Sequence, residues 1–516
     1  VPMAIRRVAA AGLALLLAPQ VAGLRSRQGP VPDNDIATSR ETTGRSSSRH
    51  TLKSYKQRLA QKLQTLIPET MYKRSTSSVS SRVKGKQPIG TPGELENRPG
   101  HFTRMTDCQM NGESSCALSS LPSGGITGIA PGGRTRCIRG ADFQFQVVPG
   151  ATDKLYLHLG GGGACWDEIT TTTMRVCQTQ ADIIDFTGYA NLCPGDNPFK
   201  GYTSIYVPHC SGDLHGGNIS RPWENPDDDT VPIEQRGYYN VRSVIDWIKT
   251  NMAPKLSHFA FAGESAGSIG VQVWSSKLLK EFKYDKAHVL GDSFVGVFPE
   301  NFQGKIFKEL GACELVLEGE SQEKCRSGKV SISEVFEKTI KEFPDVVFGH
   351  LTSKHDTIQT SFYTIAATTM RIAEVKEWCG DVDPDDCDLD DAPDKFNELP
   401  ERLTSEGYHA KMEAIVEQFS QQPNYISYLM SSNCHVCGMT VFGSCPFVDY
   451  YQSVGGPGGW MNGENGAQRL DVQKWATNFF DDSRSKSSQC ELFLLYDLES
   501  RDEDDWCSAK QQKKRL

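Results

Sequence analysis

The stretch 259–267, with the sequence FAFAGESAG, constrains the fold of this chain more than any other part of it. A short apolar run ends in the pentapeptide GESAG and leads directly into SIGVQVW, which has a helical pattern. This order predicts a strand, a very tight turn and a helix, because glycine lacks the Cβ that would clash in the turn and tolerates positive φ. In that setting a G-x-S-x-G match is typical of a nucleophile elbow, which makes Ser265 a candidate nucleophile. The pentapeptide by itself also fits an ordinary Gly/Ser turn.

Strand and helix patterns alternate along the chain after Cys137. Strands are predicted at 154–159, 203–208, 259–262, 287–292, 345–351 and 425–430, and helices at 235–252, 268–274, 334–343 and 405–421. Such alternation predicts an α/β fold in which a mostly parallel sheet is covered by helices on both faces.

Residues suited to acyl-transfer chemistry follow four of these strands, at the edge where active groups of an open α/β sheet gather. The glycine run 160–163 offers unobstructed backbone amides for an oxyanion hole, and Ser265 offers a nucleophile. Asp356 is a candidate for the acid that orients a base, and His435 is a candidate for that base. The order Ser, Asp, His along the chain is the order found in α/β-hydrolases.

Spacing alone leaves alternatives open for each of these roles. Asp292 also ends a strand and rivals Asp356 as the acid. Four other histidines rival His435 as the base: His209, His215, His350 and His355. Because His435 lies in the sequence CHVC, a zinc site competes with disulfides there, and an oxidising compartment favours the disulfides. No Lys-Ser/Thr pair follows the glycine run, which argues against a Walker-type phosphate loop.

The N-terminal hundred residues differ in composition from the rest of the chain. Residues 1–23 have the charged, apolar and small-residue regions of a secretory signal peptide. Residues 24–100 contain 15 basic and 6 acidic residues and predict a largely disordered segment or pro-region. Within it, 51–67 has the spacing of a basic amphipathic helix, for which a peripheral membrane contact is an alternative to a transient helix. The absence of interleaved aromatic residues argues against nucleic-acid binding.

The 16 cysteines of the chain are spread from Cys108 to Cys507. An even number of cysteines behind a signal peptide predicts several disulfides and a secreted, extracellular protein. The sequon at Asn218 agrees with passage through the secretory pathway. We therefore expect one secreted domain over 101–516. Acyl transfer by a serine, a histidine and an aspartate requires neither a metal nor an organic cofactor, so we expect none.

Several motifs in a fixed order resemble the pectin acetylesterase / Notum family of serine carboxylesterases over about 140–443. They are LGGGGAC at 159–165, NPF at 197–199, YVPHCSGD at 206–213, GESAG at 263–267, GDS at 291–293, SKHDTIQ at 353–359 and SNCH at 432–435. The resemblance implies an α/β-hydrolase-like fold with Ser265 as nucleophile, Asp356 as acid and His435 as base. It also implies an oxyanion hole formed by amides near Gly162, Gly163 and Ala266, and a role outside the triad for Asp292.

The chain departs from the family pattern beside the expected oxyanion hole. Gly160 stands where the family usually has an acidic residue, and an aromatic residue usually lies near Gly163 and Ala164. Loss of bulk at Ala164 is expected to open or reshape the acyl pocket. The resemblance implies hydrolysis of O-acetyl esters on a polysaccharide, with a long-chain lipid ester or a non-catalytic glycan-binding role as alternatives.

Overall fold

The computed structural model describes most of the chain from residue 105 onward. The described residues are 105–111, 113–181, 198–382, 402–430, 435–436, 472–481 and 488–489, with single positions at 57, 61, 387, 389, 393, 400 and 433. The predicted signal peptide at 1–23 lies outside them, as do Cys434 and Cys437. The basic segment 24–100, with the helix predicted at 51–67, also lies outside them except for Gln57 and Gln61, which are helical.

A ten-stranded sheet and a separate two-stranded hairpin are present in the described part of the chain. The strands are β1 (Met105–Gln109), β2 (Ile126–Ala130), β3 (Phe145–Val148), β4 (Ala151–Leu159), β5 (Tyr202–Val207), β6 (Ile219–Arg221), β7 (Ile233–Gln235), β8 (Leu256–Glu264), β9 (Tyr284–Asp292), β10 (Val347–Ser353), β11 (Tyr425–Met430) and β12 (Ser488–Gln489). The sheet order is β1-β2-β3-β5-β4-β8-β9-β10-β11-β12, and β6 pairs with β7 in the hairpin. Only β3 runs antiparallel to its neighbours in the large sheet, so the carboxyl ends of β4, β8, β9, β10 and β11 share one edge.

Nine α-helices connect these strands within the described residues. They are α1 (Gly237–Asn251), α2 (Ala266–Glu281), α3 (Phe302–Glu309), α4 (Cys313–Val316), α5 (Gly319–Arg326), α6 (Ile332–Glu342), α7 (Thr357–Cys379), α8 (Ser405–Phe419) and α9 (Val472–Phe480). A 3₁₀ turn at Leu118–Ser120 and a π-helical turn at Ile169–Thr173 complete the helical segments.

The alternation of side chains along the central strands divides the core between two faces. In β8, Phe259 and Phe261 pack with α1, α2, α6 and α8, whereas Ala260 and Ala262 pack with α9 on the opposite face. A strand with apolar residues on both faces must be covered on both, since either face would otherwise expose a broad apolar surface. The predicted α/β-hydrolase-like fold, a mostly parallel sheet with helices on both faces, is confirmed.

The predicted central elements coincide closely with the observed ones. Each of the six predicted strands overlaps β4, β5, β8, β9, β10 or β11, and the four predicted helices overlap α1, α2, α6 and α8. The remaining strands and helices were not predicted, among them β1 to β3 and the helix α7. The α7 sequence is rich in threonine, whose β-branched side chain lowers helix propensity, so its local pattern does not indicate a helix.

Five disulfides join described cysteines, which confirms the prediction that the chain forms several. The pairs are Cys108–Cys116, Cys137–Cys210, Cys165–Cys177, Cys313–Cys325 and Cys379–Cys387. No helix in the described part of the chain is long and apolar enough to cross a membrane.

Candidate active site

Ser265 occupies a strained turn between the end of β8 and the start of α2. Its φ of 54° and ψ of −118° lie in a region that a residue with a side chain rarely adopts, at a cost of about 1–3 kcal/mol. The two glycines of the pentapeptide are required by space: a Cβ at Gly267 would lie 1.9 Å from the Leu159 carbonyl oxygen, and one at Gly263 would lie 2.5 Å from that of Gly267. The predicted strand, tight turn and helix are all present at this position.

His435 and Asp356 form a hydrogen-bonded chain with this serine. His435 Nε2 lies 2.8 Å from Ser265 Oγ, and His435 Nδ1 lies 2.7 Å from Asp356 Oδ2. A carboxylate only accepts hydrogen bonds, so Nδ1 carries the ring proton and Nε2 is left to accept from the serine hydroxyl. The three residues follow β8, β10 and β11, which the sequence predicted to end at one edge of the sheet.

Asp356 is fixed by the helix that it begins. Its Oδ1 accepts from the backbone amides of Ile358 at 3.0 Å and Gln359 at 2.9 Å, and its Oδ2 accepts from Gln359 Nε2 at 2.9 Å. The residue is fully buried and serves as the N-cap of α7, where the helix dipole favours a negative charge. Gln359 was not singled out from the sequence, because a glutamine in the first turn of an unpredicted helix gives no signal.

Asp292, the rival acid, supports the loop that carries His435. Ser293 Oγ donates to Asp292 Oδ1 at 2.6 Å and accepts from the Val436 amide at 2.6 Å. The carbonyl oxygen of Asp292 accepts from the Ser265 amide at 2.9 Å. Asp292 therefore contacts both the nucleophile turn and, through Ser293, the residue after His435.

The four rival histidines lie in other hydrogen-bonded environments. His209 Nε2 accepts from the Leu214 amide at 2.9 Å, His215 Nε2 lies 2.8 Å from the Gly160 carbonyl oxygen, His350 Nδ1 lies 3.0 Å from Tyr425 Oη, and His355 Nδ1 lies 2.7 Å from Ser405 Oγ. Burial lowers the pKa of His215 to about 4 and that of His350 to about 3. Both rings are therefore neutral near pH 7.

The glycine run 160–163 lies against the nucleophile turn, where an oxyanion hole was expected. Gly162 and Gly163 have φ values of 152° and 71°, and a Cβ at Gly163 would lie 1.9 Å from the Val176 carbonyl oxygen. Within the described residues, the amides of Gly162, Gly163 and Ala266 donate to no protein acceptor. Three N–H groups near Ser265 are thus available to a negatively charged oxygen.

A neighbouring segment holds this glycine loop in place. Cys165 and Cys177 form a disulfide, and the Gln178 amide donates to the Gly162 carbonyl oxygen at 2.7 Å. Gly163 pairs with Cys177 in an isolated antiparallel bridge. The Cys165–Cys177 disulfide therefore links the end of the glycine loop covalently to the segment with which Gly163 pairs.

An apolar cavity that opens to solvent includes Ser265 in its lining. Aromatic side chains form much of its wall: Trp166, Phe294, Phe298, Phe302 and Phe362. Leu214, Ile269, Ile306, Ala164 and Ala266 add aliphatic surface, and the remaining lining residues are Gly163, Ser265, Gln359 and His435. Sequence reasoning missed the aromatic wall, although three phenylalanines at four-residue intervals directly after β9 were a usable signal.

The aromatic wall is rigidly supported. Trp166 packs edge-on against Phe302 with ring centroids 5.2 Å apart, and its Nε1 donates to Thr369 Oγ1 at 3.0 Å. Phe298 contacts both Phe294 and Phe302, with centroid distances of 4.9 and 5.4 Å. Ala164, at the position where the chain departs from the family pattern, is one of the lining residues.

Comparisons with known proteins give a similarity of fold. No protein-family model and no curated protein matches the sequence. Two similar solved structures are crystal forms of the Wnt deacylase Notum from Drosophila, each with 15% sequence identity and a TM-score of 0.42. The matches cover 69% of this chain and 93% and 92% of the two Notum chains.

Proposed function

We propose that this protein is a serine carboxylesterase with Ser265, His435 and Asp356 as its catalytic triad. The observation that carries the proposal is the continuous chain of hydrogen bonds from Asp356 Oδ2 through His435 to Ser265 Oγ, with distances of 2.7 and 2.8 Å. The free amides beside Ser265 add the second requirement of acyl transfer, a site for the oxyanion. Five disulfides support an extracellular location for this activity.

The mechanism follows from the geometry. Ser265 Oγ attacks the ester carbonyl carbon while His435 Nε2 takes the hydroxyl proton, and Asp356 stabilises the imidazolium that forms. The amides of Gly162, Gly163 and Ala266 donate to the carbonyl oxygen as it becomes negatively charged. His435 then returns the proton to the departing alkoxide, which leaves as the alcohol. A water activated by the same imidazole cleaves the acyl-enzyme and releases the carboxylic acid.

The apolar lining of the cavity beside Ser265 favours an ester substrate whose acyl group is an apolar chain. Burying each methylene of such a chain contributes about 0.8 kcal/mol, and ten apolar residues line the cavity. An O-acetyl ester of a polysaccharide, which the sequence resemblance implies, is the alternative proposal. The single methyl of an acetyl group can contact only a few of these ten residues, so the two proposals differ in the acyl length that they favour.

A series of p-nitrophenyl esters from acetyl to palmitoyl tests these proposals. We expect kcat/KM to rise by about tenfold for every two methylenes, as long as the added methylenes are buried. A maximum at acetyl would instead favour the acetylesterase proposal. The Ser265→Ala variant is the control. If this variant hydrolysed the esters as fast as the wild-type protein, the result would contradict the esterase proposal and favour a non-catalytic role.

A further inference from the structure

Glu264, the residue before the nucleophile, places a carboxylate beneath the glycine loop. Its Oε1 accepts from the Gly161 amide at 2.7 Å. Its Oε2 is hydrogen-bonded to Nε2 of His158, a fully buried residue of β4. The Glu264 residue itself is only 8% exposed, so these contacts are made away from bulk water.

A layer of buried groups completes the surroundings of this carboxylate. His158 Nδ1 lies 2.7 Å from Tyr156 Oη, and Tyr206 Oη lies 3.5 Å from Glu264 Oε1. The His158 and Tyr206 rings stack with centroids 5.7 Å apart. A buried carboxylate is tolerated only where hydrogen bonds and a partner compensate for lost hydration, and these groups supply both.

The glycine loop is held from its other side as well. His215 Nε2 donates to the Gly160 carbonyl oxygen at 2.8 Å, and the His215 carbonyl oxygen accepts from Trp274 Nε1 at 3.0 Å. The loop is thus fixed at Gly160 and Gly161, immediately before Gly162 and Gly163, whose amides are the proposed oxyanion donors. A Cβ at Gly161 would lie 3.0 Å from Ser265 Cβ, which shows how closely the two turns pack.

We propose that Glu264 is a positioning residue for the oxyanion hole. Glu264 is bonded covalently to Ser265, and its hydrogen-bond partner Gly161 is bonded covalently to Gly162. The carboxylate therefore fixes the separation between the serine hydroxyl and the amide donors through two short connections. This inference rests on the proposed esterase activity, since an oxyanion hole has no role without it.

Two neutral substitutions of similar length separate hydrogen bonding from charge. In Glu264→Gln, the amide oxygen can still accept from Gly161 N, and the amide nitrogen can donate to the other tautomer of His158. In Glu264→Met, the side-chain volume is kept but the Gly161 amide and His158 lose their partner. We expect kcat to stay within about fivefold of wild type for Gln and to fall by about 100-fold for Met, with KM changed less than threefold in both.

The experiment measures kcat and KM on the best p-nitrophenyl ester, together with the thermal midpoint of each variant. Asn240→Ala is the matched control, because it removes a buried hydrogen-bonding side chain of α1 that contacts Arg136 and not the glycine loop. We expect this control to lower the thermal midpoint and leave kcat unchanged. If Glu264→Met does not fold, Glu264→Asp withdraws the carboxylate by one methylene and should lower kcat by at least tenfold.

The outcomes separate this inference from the proposed function. The inference alone is contradicted if turnover depends on Ser265 and the kcat of Glu264→Met lies within twofold of the wild-type value. The same criterion applies to Glu264→Asp if that variant is used instead. A loss of kcat in Gln equal to that in Met also contradicts it, since hydrogen bonding would then not be the cause. Wild-type protein without Ser265-dependent turnover contradicts the esterase proposal and removes this inference with it.

Discussion

The carboxylate of Asp356 accepts four hydrogen bonds within the described structure, three of them from the first turn of α7 and one from His435. The three helix contacts leave the carboxylate little freedom to rotate. Its Oδ2 therefore presents one lone pair to the imidazole in a fixed direction. This arrangement keeps the proton on Nδ1 and the lone pair of Nε2 directed at Ser265.

Replacing Asp356 with asparagine tests this role with little disturbance of the helix. Asparagine is as good an N-cap as aspartate, so the bonds to the α7 amides can persist. Its NH₂ group would face His435 Nδ1 and favour the wrong tautomer, and we expect kcat to fall by about 10⁴-fold. Steady-state kinetics on a p-nitrophenyl ester, with circular dichroism to confirm folding, is the measurement.

Thr404→Ala provides the comparison, because Thr404 caps α8 by accepting from the Gly407 amide at 3.0 Å. Loss of that cap should reduce the free energy of unfolding by about 1 kcal/mol and leave kcat unchanged. A kcat for Asp356→Asn within tenfold of wild type would show that another group orients His435.

The candidate site residues differ in how far the sequence alone predicts their roles. Ser265 was identifiable because its strand, turn and helix are contiguous in the chain. Asp292 and Asp356 were not distinguishable by spacing, since both end strands at the same edge of the sheet. The structure distinguishes them, because His435 Nδ1 is hydrogen-bonded to Asp356 Oδ2, whereas the Asp292 carboxylate accepts from Ser293. No local pattern predicts these contacts.

At the scale of elements, the segment between Cys165 and Cys177 is one support of the glycine loop. It contains the π-helical turn Ile169–Thr173, and irregular turns of this kind often occur at functional sites. Its end returns to pair with Gly163, so its position determines that of the neighbouring amides. The disulfide closes the segment into a ring.

Replacing both Cys165 and Cys177 with serine should therefore impair catalysis as well as stability. We expect kcat to fall at least tenfold, because the Gly162 and Gly163 amides would move relative to Ser265. The lost cross-link should lower the free energy of unfolding by about 3 kcal/mol. Kinetics and denaturant titration under non-reducing conditions measure the two effects.

The Cys313–Cys325 pair offers a matched control, since it has the same sequence separation of 12 residues. It joins α4 and α5 and has no contact with the glycine loop. Its double serine variant should lose similar stability and keep its kcat. Equal effects of the two double variants on kcat would show that the first disulfide has no special role in catalysis.

The helix α7 shows why some elements escaped prediction. Four of its threonine hydroxyls donate to carbonyl oxygens three or four residues earlier: Thr360 to Thr357, Thr364 to Thr360, Thr368 to Thr364, and Thr369 to Ala366. These bonds satisfy buried polar groups that would otherwise make such a sequence unsuitable for a core helix. Tertiary packing, which a local pattern does not contain, therefore determines this helix.

For the whole molecule, buried histidines link stability to pH. Burial lowers the pKa of His350 to about 3 and that of His215 to about 4, and it lowers the pKa of His209 well below its ordinary value. In the unfolded chain these rings take up protons near pH 6.5. Below about pH 6.5 the unfolded state therefore binds more protons than the folded state, and stability decreases as pH falls.

We expect His350 and His215 each to reduce the free energy of unfolding by about 1.4 kcal/mol per pH unit as the pH falls from about 6 toward 4. Burial raises the pKa of Asp167 and Asp213, which opposes this trend at the acidic end, so a difference between variants is the clearer measurement. Urea titrations at pH 7, 6, 5 and 4.5 should give a shallower dependence for His350→Gln, by about one proton. Identical pH dependence in the two proteins would contradict the assignment of His350.

The parallel order of β8, β9, β10 and β11 has a further consequence for how reactivity arises during folding. The triad residues are separated by up to 170 positions in the chain, and they meet only when these four strands are paired in register. A serine-directed fluorophosphonate should therefore label refolding protein only after the centre of the sheet is complete. The rate at which Ser265 becomes labelled would then report the rate of sheet assembly. We expect this labelling to appear later than the spectroscopic signal of helix formation.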